Sequence, residues 1–245
     1  MARYRKTARF VRSLRLERAA HLLAGSLCEV ATERPVFHVT FDDGPHPDVT
    51  PKVLDALDEH SAPATFFLLT ENAEKHPELV EEIMRRGHEI GHHSRTHPRL
   101  STAPWGTLTD EILASRRDLE RVAGRPIKLF RPPYGAHGLR SLYMVKGAGL
   151  KTVLWSVDSE DWKGLPASED PLERTRQRIA RGGILLLHDR PAGESVEEDR
   201  HLDRIAKDDL TRRYLEELAG VGLETVSLDE LLASGDQVRR AKVAK

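Results

Sequence analysis

The chain has 245 residues, 39% apolar and 31% charged, which suits one α/β domain of ordinary globular composition and leaves no apolar run near the ~18 residues that a membrane-spanning helix needs. Its net charge is −1, yet seven basic residues (Arg3, Arg5, Lys6, Arg9, Arg12, Arg15, Arg18) face Glu17 alone in the first 18 positions, leaving 31 basic against 38 acidic residues beyond them. That mildly acidic body excludes an electrostatic footprint for nucleic acid, and Cys28, the only cysteine, excludes an intramolecular disulfide and a cysteine-based zinc site.

The leader fits a secretion signal poorly. The stretch 19–28 is short, is interrupted by His21, Gly25 and Ser26, and is followed by Glu29 where a small-residue cleavage site would lie. Its basic residues recur at every third position, which on a helix of about 3.6 residues per turn spirals around the axis and makes no single stripe. The expectation is a basic leader over 1–34, with weak membrane-surface association as its secondary use, then one folded domain over 35–235 and a tail over 236–245, in a cytoplasmic monomer.

In chain order, apolar β-branched runs predict strands at 36–41, 64–69, 89–90, 128–130, 152–157, 184–187 and 224–227. Between them, segments of helical period rich in Leu, Glu, Arg and Ala predict helices at 51–60, 73–87, 107–124, 138–149, 170–182, 207–221 and 228–234. Strands that alternate with helices imply a parallel sheet with helices outside, and about seven such units favour a closed or nearly closed barrel over an open sheet. In either arrangement function gathers at the carboxyl ends of the strands. Unusual polar residues stand there: Asp42 and Asp43, His92 and His93, Arg131, Asp158 and Asp161, His188 and Asp189.

Two adjacent carboxylates repel unless a cation offsets them, so Asp42 and Asp43 suit a site in which one binds a divalent ion while the other faces a reacting water. An Asx-turn before Pro45 accounts for only one of the two. His93 and His97 have the i, i+4 spacing that brings two imidazoles to one ion and, with an Asp oxygen, makes a three-ligand zinc site. His88 and His92 have the same spacing, and Pro98 and Gly91 favour a turn over a helix in both pairs, so spacing leaves both open. The prolines of Arg131-Pro132-Pro133-Tyr134-Gly135 fix a loop from which Arg131 can orient a carboxylate. His188 ends an apolar strand where a positioned acid or base would sit, and Asp158-Ser159-Glu160-Asp161-Trp162 offers a carboxylate to orient a histidine beside an aromatic wall.

Taken together, Thr40-Phe41-Asp42-Asp43-Gly44, His93-Ser94-Arg95-Thr96-His97-Pro98, Arg131 to Gly135, Asp158 to Trp162 and Leu186-Leu187-His188 resemble the five ordered motifs of polysaccharide deacetylases, the fourth carbohydrate esterase family or NodB-homology domain. The resemblance runs from Val36 to Leu232. It implies a distorted (β/α) barrel that removes acetyl groups from N-acetylated sugars, acts on a carbohydrate and uses one divalent metal, zinc, for which cobalt or nickel can substitute. By motif position it makes Asp43, His93 and His97 the metal ligands, Asp42 the general base, Arg131 its aligning partner, His188 the general acid and Asp161 the group that charges His188. It also implies that Tyr134 lends its backbone N–H to an oxyanion and that Trp162 and Leu186 wall an acetyl pocket.

Two positions depart from the family pattern: His92 stands where asparagine is usual and Thr70 where a small residue is usual, and both are expected to touch or narrow the cleft. The competing readings are an O-acetyl esterase on a xylan-like polysaccharide and a catalytically silent carbohydrate-binding barrel; intact Asp42, Arg131 and His188 weigh against the latter.

Overall fold

The structure is a computed structural model that describes residues 25–162, 170–190 and 205–239; the basic positions 3–18 of the leader lie outside the described residues. Its strands are β1 (Leu27–Ala31), β2 (Val36–Asp42), β3 (Ala64–Leu68), β4 (Glu89–His92), β5 (Leu129–Phe130), β6 (Lys151–Thr152), β7 (Val157–Asp158), β8 (Ile184–His188), β9 (Glu224–Thr225) and β10 (Asp236–Arg239). Every residue of β2 and β3 is buried, as expected of parallel strands covered on both faces.

Seven of these strands pair in the order β6-β5-β4-β3-β2-β8-β7, each neighbouring pair parallel, while β9 joins the start of β2. The first strand of this path, β2, therefore lies inside it between β3 and β8, and its two edges, β6 and β7, are joined directly by residues 153–156. The Leu27 carbonyl in β1 accepts from the Leu154 N–H at 2.7 Å, so the leading strand helps to close the curled sheet into a distorted (β/α) barrel.

Strand alternation divides the core. Phe66, Leu68, Leu185 and Leu187 join the layer between sheet and helices, whereas Phe67, Ile184 and Leu186 join a second cluster with Leu27, Leu129 and Trp155 on the inner side. In the β2–β8 register Thr40 faces Leu186 and Asp42 faces His188. Asp42 and His188 therefore leave the sheet on its inner face, side by side, at the carboxyl end.

The outer layer is built by α1 (Thr50–Glu59), α2 (Thr70–Lys75), α3 (Pro77–Arg85), α4 (Trp105–Leu108), α5 (Ser115–Ala123), α6 (Leu139–Gly147), α7 (Pro171–Thr175), α8 (Lys207–Gly220) and α9 (Leu228–Ala233). The helix expected over 73–87 is two, because Pro77 cannot continue a helix but can begin one. Between α4 and α5 the helix runs on through a π-helical segment, Thr109–Ala114, and it ends at Gly124, whose φ is 64°. No helix among the described residues is long and apolar enough to cross a membrane.

The helix expected over 170–182 is cut short, since α7 ends at Thr175 and only a 3-10 turn, Arg176–Arg178, follows it, and two further expectations need correction. The strand expected over 152–157 is two strands on opposite edges of the path, because residues 153–156 spend their polar backbone on other partners: Val153 and Leu154 carbonyls accept from Arg131. The domain limits at 35 and 235 cut off an antiparallel ribbon, since β1 pairs with β10 and buries Leu27, Cys28 and Val30. Such short pieces, far apart in sequence, carry no strand period of their own.

The ribbon is fastened at Gly182, whose carbonyl accepts from Val30 N–H at 2.8 Å. Gly182 has φ of 76°, and a Cβ there would lie 1.8 Å from the Val30 carbonyl oxygen. Gly182→Ala should lower stability by about 2 kcal/mol or more, the combined cost of positive φ and displacement of β1. The urea midpoint should fall with an unchanged slope; a loss below about 0.5 kcal/mol would show that the ribbon does not depend on this contact.

Candidate active site

At the end of β2, Asp42 is buried and its Oδ1 accepts from Arg131 Nη1 at 2.6 Å. The Arg131 side chain is itself wholly buried, and each of its three nitrogens donates: Nη1 also reaches Thr40 Oγ1 (2.8 Å), Nε the Val153 carbonyl (3.1 Å) and Nη2 the Leu154 carbonyl (3.0 Å). Its guanidinium lies over the Phe67 ring, 4.1 Å from the centroid. Burial pushes the Asp42 carboxyl up, against the opposing pull of Arg131 and His188, so its anion is a stronger base than a surface aspartate.

Asp43, the next residue, turns away through a positive φ of 75°. Its Oδ1 lies 3.5 Å from His93 Nε2 and 3.6 Å from His97 Nε2, and it is buried without a hydrogen-bond partner among the described residues. One ligand atom from each of the three residues lies within 4.8 Å of the others. Two ligands on a tetrahedral zinc stand about 3.4 Å apart, so this unpartnered oxygen and two imidazoles fit a divalent cation. The Arg131 carbonyl accepts from His93 Nδ1 at 2.7 Å, which leaves the lone pair on Nε2, facing Asp43. Burial, with the neighbouring His97, lowers His93 to about 3, so it is neutral as a ligand must be.

The competing histidine pair is thereby separated from the site. His92 and His88 are buried behind it: His92 Nε2 meets Ser115 Oγ at 2.9 Å, and His88 packs on Phe66. The other departure, Thr70, is also buried and donates to the Ser115 carbonyl at 3.2 Å. Both unusual residues thus anchor one serine of α5 and neither side chain enters the cleft.

On β8, His188 Nδ1 meets Asp161 Oδ1 at 2.7 Å and the His188 N–H donates to Asp161 Oδ2 at 3.1 Å. Asp161 also accepts from Ser159 Oγ (2.8 Å) and from the buried Lys207 Nζ (3.0 Å). Against the cost of burial, Lys207 and His188 hold Asp161 well below the usual carboxylate range. Burial lowers His188, but the Asp161 charge and hydrogen bond, with Asp43 and Asp42 nearby, lift it to about 9.

Tyr134 also sits at the site, its ring 4.6 Å from that of His97. Its φ is 59°, and the turn is closed by the N–H groups of Gly135 and Ala136, not by that of Tyr134. Leu186 is buried on the inner face of β8, whereas Trp162 is 47% exposed at the edge of the described chain. The structure thus brings Asp42, Asp43, His93, His97, Arg131, Tyr134, Asp161 and His188 to one end of the barrel.

A buried carboxylate and a histidine on adjacent strands beside an Asp–His–His cluster, at the carboxyl end of a parallel barrel, agree with the comparisons. The family model described as polysaccharide deacetylase matches residues 29–153. The chain belongs to the polysaccharide deacetylase family. A chitooligosaccharide deacetylase of Azorhizobium caulinodans is 37% identical over 166 residues, 67% of this chain and 79% of that protein. A peptidoglycan-N-acetylglucosamine deacetylase of Bacillus cereus is 39% identical over 167 residues, 68% of this chain but only 60% of its own length. The crystal structure of a peptidoglycan N-acetylglucosamine deacetylase superposes with a TM-score of 0.75 at 32% identity, covering 87% of this chain and 95% of that one.

The sequence of this deacetylase-family chain gives no sign of two site-supporting residues, Lys207 and Glu111, and assigns no role to a third, Asp189. Lys207 begins a helix 46 residues after Asp161, a separation that no local spacing reveals. Glu111, on the π-helical segment, accepts from Arg95 N–H (2.8 Å), Thr96 N–H (3.0 Å) and Thr96 Oγ1 (2.7 Å), so it pins the loop that ends in His97. Asp189 is buried, accepts from Thr50 Oγ1 at 2.6 Å and lies so close to Gly44 that a Cβ there would come within 2.2 Å of its Oδ2. Only Asp189 had a signal, its place beside His188.

Removing one partner of a buried ion pair strands the other in low dielectric, at a cost of about 3–5 kcal/mol. Arg131→Met should therefore destabilise the fold by about that amount, and adding Asp42→Asn should restore a good part of it. Chemical denaturation of the two variants checks this; equal stability of Arg131→Met and the parent would mean that Asp42 does not depend on Arg131.

Proposed function

We propose that this protein hydrolyses the N-acetyl groups of an N-acetylglucosamine-type glycan, oligosaccharide or lipid-linked sugar. The observation that carries the reading is the register pair Asp42 and His188 on adjacent strands, a carboxylate held by Arg131 beside an imidazole held by Asp161, with the Asp43–His93–His97 cluster at the same end of the barrel. Environments that make one group a base and its neighbour an acid are the arrangement that amide hydrolysis needs.

Asp43, His93 and His97 would hold one divalent cation, zinc in our reading, with cobalt or nickel as substitutes. Such an ion supplies Lewis acidity toward water and the acetyl carbonyl. Asp42 Oδ2, the oxygen not bound to Arg131, takes a proton from the attacking water, while Arg131 keeps the carboxylate aligned. The backbone N–H of Tyr134 is offered to the oxyanion that forms at the acetyl carbon. His188, its Nδ1 committed to Asp161, uses Nε2 to protonate the departing sugar nitrogen, which leaves poorly as an anion. Trp162 and Leu186 would border the acetyl methyl group.

The test is acetate release from N-acetylglucosamine oligomers before and after chelation. Release should stop on chelation and return with zinc or cobalt. His93→Ala should abolish bound metal and His92→Ala should retain it; the reverse would overturn the ligand assignment. Asp42→Asn should lower kcat by about 10²- to 10⁴-fold with metal retained.

The pH profile follows from His188. Its folded value is raised to about 9, so the imidazolium is present through neutral pH and is lost as pH rises through that region, which sets a basic limb well above 6.5. Asp161→Asn removes the charge that raises it, so the limb should move to lower pH. A limb unmoved in the folded, metal-loaded variant would exclude His188–Asp161 as its source.

A further inference from the structure

The rim that carries the site also carries an aromatic surface which the chemistry of acetyl transfer to water does not use. Trp105 is 48% exposed, Tyr143 74% and Leu139 50%, whereas most other large apolar side chains among the described residues are buried. The Trp105 and Tyr143 rings meet at 88° with centroids 6.4 Å apart, so they form a corner. The Arg140 guanidinium stands 5.9 Å from the Trp105 ring centroid.

The position of this corner follows from the fold. Trp105 opens α4 and Leu139 opens α6, and helices of a parallel barrel begin where the preceding strands end, so both lie on the face that carries the site. The loops that feed them interlock: a Cβ at Gly138 would lie 2.3 Å from the Ser101 carbonyl oxygen. Arg99, in the first of these loops, stands 4.8 Å from the centroid of Tyr134, whose ring touches that of His97. Two groups that combine aromatic rings with a guanidinium therefore stand on this face, Tyr134 with Arg99 beside the cluster and Trp105 with Arg140 and Tyr143 on α4 and α6.

We propose that the Trp105–Tyr143 corner is a remote sugar subsite, which binds a residue of the glycan chain beyond the one that is deacetylated and so selects oligomers over short substrates. This rests on the deacetylase reading above. Pyranose rings present apolar C–H faces with hydroxyls at their edges, a pattern that aromatic faces cover and guanidinium donors complete, as Arg140 and Arg99 do here. An exposed aromatic patch joined to a cleft costs a protein solubility unless a ligand covers it. A glycan long enough to fill the cleft is the ligand whose chain would extend over this face to the corner.

The experiment compares the parent with Trp105→Ala, Tyr143→Ala and Trp105→Phe on β-1,4-linked N-acetylglucosamine dimer and pentamer, as metal-loaded protein. Both positions are exposed, so the substitutions should leave folding intact. For each alanine variant kcat/KM on the pentamer should fall about tenfold, through KM, with less than about a twofold change on the dimer, and Trp105→Phe should keep most of the parent value. Titration calorimetry of the pentamer against the same variants in an Asp42→Asn background should show the same tenfold loss of affinity. Equal losses on dimer and pentamer, no loss on either, or loss of binding to anionic vesicles with pentamer affinity unchanged would each overturn the subsite. If the parent released no acetate from either oligomer, the deacetylase reading would fail by itself. Calorimetry would then decide the subsite alone: weakened pentamer binding supports it, and unchanged or undetectable binding overturns it.

Discussion

The Arg131 guanidinium is the interaction on which the rest of this site depends. It enters the barrel interior from the end of β5 with no solvent to stabilise it, and four oxygens from two parts of the chain accept from its three nitrogens: Thr40 and Asp42 on β2, Val153 and Leu154 beyond β6. Its own carbonyl accepts from His93 Nδ1. One residue thus fixes the orientation of Asp42, the tautomer of a cluster histidine and the path of the segment that joins the two edges of the sheet. A buried ion pair is weak evidence for stability, since apolar replacements are often as stable or more so. Retaining it at a cost in desolvation makes sense where an aligned carboxylate is required.

The same economy governs the loops. Among the described residues, five of the six non-glycine residues with positive φ, Asp43, Ser94, His97, Tyr134 and Glu160, lie in the turns that follow the strand ends. Each such conformation costs of order 1 kcal/mol or more and persists only where surrounding contacts over-determine it. Here those contacts are buried and polar: Glu111 on two N–H groups and a hydroxyl of the His97 loop, Ser94 Oγ accepting from His97 N–H at 3.1 Å, and Asp189 against Gly44 on the turn that carries Asp43. The π-helical register of Thr109–Ala114 carries Glu111 to that loop, so an irregularity in an outer helix supports a strained turn at the centre.

Much of this was legible in the sequence, for identifiable reasons. The parallel barrel follows from buried runs alternating with helical segments, and the site follows from polar residues that stand directly after those runs. Spacing could not separate His93–His97 from His88–His92, because both are i, i+4 pairs. What separates them is strand pairing, which leaves His93 facing Asp43 while His92 turns back to Ser115. Lys207 and the β1–β10 ribbon were illegible because they act through contacts between segments distant in sequence. The split of the expected 152–157 strand was hidden for a related reason: its carbonyls serve a guanidinium that no hydrophobic pattern reports.

The central claim is a division of labour, with Asp42 as base and His188 as acid on neighbouring strands. It is tested most directly by the dependence of the His188→Ala defect on the leaving group, measured as the chemical rate on an N-acetylated sugar and on an aryl acetate with folded, metal-loaded protein. The account predicts a loss of about 10²-fold or more on the amide, whose nitrogen needs a proton, and a much smaller loss on the ester, whose phenolate leaves without one. Equal losses on both substrates would contradict it, because His188 would then serve some step other than protonation of the leaving group.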